Sequence, residues 1–106
     1  MEITEVRITL RDEPKLKAFA NITLDDCFVI RGLKIIEGTN GFFISMPSRK
    51  GKDGTYRDIA HPINNETREK IEKVILDEYK NELSKQGIPT DDVKISEKPA
   101  VEGEVQ

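Results

Sequence analysis

The sequence predicts an α+β domain, an antiparallel meander of about five strands followed by one long amphipathic helix. Two observations predict it. Over residues 2–10 and 16–24 apolar and polar side chains alternate with period two, and turn residues separate these and the further apolar runs up to residue 61. From Asn65 onward the apolar period becomes helical and holds for about five turns. A third observation bounds the size. The chain has 106 residues, 36% of them hydrophobic and 35% charged. That suits one domain with one thin core, burying roughly 60–65% of the extended-chain surface.

Each element has its own signal. In residues 2–10, Thr4, Val6, Ile8 and Leu10 alternate with Glu5, Arg7 and Thr9, which describes a half-buried strand. Asp12, Glu13 and Pro14 break it. Residues 16–24 alternate again. Leu16, Ala18, Ala20, Ile22 and Leu24 share one face, and Phe19 is the exception among the polar residues opposite. Residues 27–37 are apolar on both faces except at Arg31 and Lys34, as in a central strand, and Gly32 marks a bulge or close backbone approach. Asn40-Gly41 supplies positive φ for the next hairpin turn. Residues 42–46 form a fourth strand that stops at Pro47, and residues 55–61 a short fifth. In the helix, Ile71, Val74, Ile75, Tyr79 and Leu83 fall on one face. Asn65 is its expected N-cap, Glu66–Lys70 and Glu69–Lys73 are favourable i,i+4 pairs, and Gly87 and Pro89 end it.

The domain is expected over residues 1–89, with an acidic disordered tail over 90–106. The formal net charge of −3 bears on partners only after it is localised. The tail holds five acids and two bases, while residues 1–89 hold 15 of each. The domain is therefore neutral on average. Its bases crowd one loop, where Arg49, Lys50, Lys52 and Arg57 face a single acid, Asp53. No apolar run is long enough for a membrane span, and no signal-peptide hydrophobic region follows Met1. A lone Cys fits a reducing cytoplasm.

Enzyme chemistry finds little support. His61 is the only His and Cys27 the only Cys, with nothing in the sequence to orient them as a dyad. Asp25–Asp26 and Asp91–Asp92 are neighbours in sequence, which on a strand sends them to opposite faces. Two ligands, Asp58 and His61, are too few for zinc, and the glycines match no phosphate loop. No catalysis, cofactor, metal or small-molecule substrate is expected. What remains is the basic loop. Ser, Gly and flexible cations between strands suit phosphate contacts, and Tyr56 suits stacking on a base or packing on the sheet. A solvated loop with bases kept for solubility is the plainer reading of the run alone. The same holds for the outer helix face with Lys70, Lys73 and Lys80.

Over about 65 positions the string resembles the stage V sporulation protein G family of septation and sporulation regulators. The resemblance is carried by Ile3 to Ile8, Lys17 to Asp25, Phe28 to Gly38, Asn40 to Ser48, Asp58 to Ile63 and the start of the helix. It implies a homodimer whose sheet continues across the subunit interface, and a regulator that binds DNA and also RNA without catalysis. It raises Arg49, Lys50, Lys52 and Arg57 to contact candidates. Arg68, Lys70 and Lys73 are further candidates, near a helix N-terminus that favours anions. The alternative is a protein-interaction adaptor working through a sheet edge or the helix.

Overall fold

Four consecutive strands, β1 (Ile3–Leu10), β2 (Leu16–Leu24), β3 (Phe28–Gly38) and β4 (Gly41–Ser45), pair antiparallel in chain order to form one sheet. The computed structural model describes residues 1–95. A separate two-stranded ladder of β5 (Ser48–Lys50) and β6 (Tyr56–Asp58) follows, and then the helix α1 (Asn65–Lys85). The fifth strand expected over 55–61 is therefore present in part, as β6, but it does not extend the meander. Pro47 has no N–H to give a ladder, so β4 ends before it and the chain doubles back on itself. The Pro47 carbonyl accepts a hydrogen bond from the Ile59 N–H at 2.7 Å and closes the base of this ribbon.

Turn chemistry explains the register. Asp25 and Asp26 take positive φ, 50° and 56°, between β2 and β3, a region that short polar side chains tolerate. The strands they join are also tied to the N-terminus. Asp25 Oδ1 accepts from the Glu2 N–H at 2.9 Å, and Thr4 Oγ1 accepts from the Asp26 N–H at 2.9 Å. Gly32 sits at the expected bulge with φ 81°, where the pairing shifts between Ala20–Leu33 and Ile22–Ile30. Its N–H donates to Asn21 Oδ1 at 3.1 Å. The Asn40-Gly41 signal locates its hairpin but displaces its centre. Gly38 and Gly41 are the last ladder pair, and only Gly41 has positive φ there.

One face of the sheet is covered by α1, which lies against β1 and β2. Ala18, Ala20, Ile22, Leu24, Leu33, Ile35, Phe42 and Ile44 meet Ile71, Ile75, Leu76, Tyr79 and Leu83 there. The small Ala18 and Ala20 keep the middle of that face low, so the helix can approach. Tyr79 packs its ring 5.9 Å from that of Phe42. Burial raises the Tyr79 phenol pKa, helped by the nearby negative charges of Glu37 and Asp92. The helix starts one residue earlier than expected. Asn64 is the N-cap, its side chain accepting from the Thr67 N–H at 2.8 Å. At the other end the N–H groups of Gly87 and Ile88 donate to Ser84 and Leu83 carbonyls, both at 3.0 Å, with Gly87 at φ 74°. This is the Schellman arrangement that Gly87 predicts.

Residues 90–95, set in the tail by composition, lie against the domain. Val93 is 3% exposed and joins the core. The Phe42 N–H donates to the Lys94 carbonyl at 2.7 Å, and Ile95 bridges Phe42 in parallel along the β4 edge. Burying the Val93 side chain in that core outweighs the acidic composition around it. The rest of the expected tail, 96–106, lies outside the described residues.

Candidate nucleic-acid interface

The β5–β6 ribbon presents all four loop bases on exposed backbone. Arg49 pairs directly across the ladder with Arg57, and Lys50 with Tyr56, which is 70% exposed. Strand alternation therefore puts the two arginines on one face of the ribbon and Lys50 and Tyr56 on the other. Lys52 lies in the turn between them. Two like charges directly opposite each other weaken a strand pair. The ribbon carries that penalty with no apolar face to offset it.

Asp53 holds the turn together. Its Oδ1 accepts from the Thr55 N–H at 3.1 Å and from the Thr55 hydroxyl at 2.7 Å. Its Oδ2 accepts from Arg57 Nη2 at 3.2 Å. These bonds favour the carboxylate, led by the Thr55 hydroxyl, and lower its pKa from 3.8. The turn also closes through the Gly51 N–H to Thr55 carbonyl bond at 2.7 Å. Asp53 thus shapes the loop while neutralising little of it. It engages Arg57, and the other three bases have no salt-bridge partner among the described residues.

The helix candidates are placed differently. Arg68 is half-buried and sits 4.0 Å from Glu72. Lys70 Nζ donates to the Met1 carbonyl at 3.1 Å, and Lys73 pairs with Asp77 at 3.1 Å rather than with Glu69. Each of the three has a local partner, unlike Arg49, Lys50 and Lys52. Cys27 is exposed in the β2–β3 turn, and His61 Nδ1 lies 2.9 Å from the carbonyl of its neighbour Pro62. No group of three or more metal-ligating side chains is assembled among the described residues, and no helix there is long and apolar enough to cross a membrane.

A further surface is the sheet face that α1 leaves open. A row of residues crosses it in register, Thr9, Phe19, Lys34 and Ser45, with Ile36 and Phe43 paired in the next row. The signal is present in the sequence. Phe19 breaks the alternation of β2, and Phe42-Phe43 places a ring on each face of β4.

Comparison with known proteins gives the family context. A family model described as SpoVG matches residues 1–81. A protein of Anaeromyxobacter sp. (strain Fw109-5), named "Putative septation protein SpoVG", is 60% identical over 89 residues, covering 84% of this chain and 92% of the relative. A protein of the same name from Bdellovibrio bacteriovorus is 54% identical over 87 residues, covering 82% of this chain and 81% of the relative. Another, from Agathobacter rectalis, is 56% identical over 84 residues, covering 78% and 97%.

Proposed function

The chain belongs to the SpoVG family, and on that premise we propose that it is a homodimeric regulator of bacterial septation and sporulation that binds DNA and also RNA through its basic ribbon. The observation that carries this reading is the ribbon itself. Arg49 opposes Arg57 across a short ladder whose six strand residues are all exposed. An anionic partner relieves the repulsion that the isolated ribbon bears. A two-stranded ribbon also fits the width of a duplex major groove. Phosphate contacts then supply most of the affinity, with counterion release as the driving term.

Exposed apolar side chains support the dimer. Ile59 and Ile63 are 68% and 87% exposed in the segment that follows the ribbon. A second copy would bury that surface and place two ribbons on one assembly, which raises their effective concentration on one nucleic acid. Arg68, Lys70 and Lys73 are secondary contacts in this reading, because each must first release a partner.

The test is a mobility-shift titration of duplex DNA at several salt concentrations, with wild type beside Lys50→Glu/Lys52→Glu. The double variant should bind at least tenfold more weakly, and its salt slope should be shallower by about two contacts' worth. Equal affinity and equal slope would remove the ribbon as the site. Sedimentation should give twice the chain mass.

A further inference from the structure

We propose that the open face of the four-stranded sheet is a stacking platform for unpaired bases, so that single-stranded nucleic acid is a target distinct from duplex. The proposal rests on the nucleic-acid-binding reading above and adds a second contact site to it. It starts from two half-buried phenylalanines, Phe19 on β2 and Phe43 on β4. Phe19 lies in register with Lys34, and Phe43 with Ile36. Both therefore point away from the core that Ala18, Ala20, Phe42 and Ile44 build. Strand spacing and rise put the two side chains about 12 Å apart, too far to stack on each other. Each ring is left to a separate partner.

One of the rings already carries a flat group from its own chain. The Arg11 guanidinium already lies over Phe19, 5.5 Å from its centroid. A base stacks on an aromatic face or on a guanidinium plane in the same way. Phe43 is given room by Gly38. A Cβ there would meet the Phe43 ring at 3.2 Å, so the missing side chain lets the ring lie over the strand end.

Bases that a phosphate can engage lie around the rings. Lys34 is exposed between them and has no salt-bridge partner among the described residues. Arg7 and Arg11 hold Glu5 at 2.6 Å and Glu13 at 3.2 Å in exposed pairs, which a phosphate can replace with little loss. Aromatic rings interleaved with bases on an open antiparallel sheet suit a flexible single strand. A duplex keeps its base faces stacked inside and cannot use the rings.

The experiment titrates wild type, Phe19→Leu, Phe43→Leu and Lys50→Glu/Lys52→Glu with an unstructured 15-mer of deoxythymidine, and with a blunt duplex, at one fixed salt concentration. Leucine keeps the apolar volume, and thermal melts check the fold. Each Phe→Leu change should weaken the single strand roughly five- to a hundredfold, the loss of one stacked base, and leave duplex affinity unchanged. The chain has no Trp, so the indole introduced by Phe43→Trp reports that position alone. The 15-mer should quench it and the duplex should not. Wild-type affinity of both Leu variants for the 15-mer with no quenching, while the lysine double variant loses duplex binding, overturns the platform and leaves the ribbon reading intact. Failure of wild type to bind either nucleic acid overturns both. A changed sedimentation coefficient of free Phe43→Leu makes this face an interface between copies and also overturns the proposal.

Discussion

The two ladders of this molecule are built on opposite principles. The four-stranded sheet is held by what it hides, a face of Ala18, Ile22, Ile35 and Ile44 pressed under α1. The β5–β6 ribbon hides nothing, since all six of its strand residues are exposed. A two-stranded ribbon of this kind is marginal in water, and this one carries opposed arginines as well. Its order comes from Asp53 and a few backbone bonds. The buried face under α1 and the exposed ribbon are thus separate parts of one small chain, so changes in the ribbon should leave the stability of the sheet nearly untouched.

The strongest test of that separation pairs one substitution from each ladder. Ile75 is fully buried between helix and sheet. Ile75→Ala should cost about 2–5 kcal/mol of unfolding free energy, read by urea denaturation. Lys50→Glu/Lys52→Glu should stay within about 0.5 kcal/mol of wild type while losing nucleic-acid affinity. A ribbon variant that unfolds the domain would break the comparison.

A second test asks where the stable part ends. Truncation after Pro89 removes Val93 and the bond from Phe42 to Lys94. It should cost about 1–3 kcal/mol, the scale of one buried Val side chain and a strand-edge contact. Truncation after Ile95 keeps both, and its thermal midpoint should lie above that of the shorter chain. Equal midpoints for the two truncations would show that residues 90–95 add nothing to the sheet.

These contrasts also mark what the sequence makes legible. The buried face of β2, the bulge at Gly32 and the Schellman end at Gly87 follow from local chemistry, because period and glycine geometry act within a few residues. The N-cap falls at Asn64 rather than Asn65 because two adjacent asparagines give the same local signal. The partner of β6 is not legible. Three-residue strands carry too little pattern to distinguish the β4 edge from a hairpin with β5. Val93 escapes for a related reason, since one apolar residue among acids has no period and only the finished core shows that it is buried. The ribbon bases are legible as a charge cluster. Their opposition across a ladder is not, because it depends on that pairing.

The smallest expected effects come from two carboxylates whose pKa values move in opposite directions, one in each region. Asp53 is exposed, and its bonds to Thr55 and Arg57 lower its pKa from 3.8. Its contribution to ribbon order is complete above 3.8 and is lost as pH falls through the lowered value. Amide protection at Gly51 and Thr55 should fall there, and Asp53→Asn should reduce it at every higher pH without moving the thermal midpoint. Glu72 is desolvated on α1, which raises its pKa above 4.5 despite the Arg68 charge 4.0 Å away. Its ionised form is therefore the disfavoured one in the folded state, and the penalty is present above the raised value and gone below 4.5. Glu72→Gln should stabilise the domain by up to about 0.5 kcal/mol at pH 7, and the gain should vanish below pH 4.5. A carboxylate that its neighbours hydrogen-bond stabilises the ribbon when charged, whereas one that the core desolvates weakens the body when charged. A gain from Glu72→Gln that persists at low pH would assign its effect to packing instead of charge.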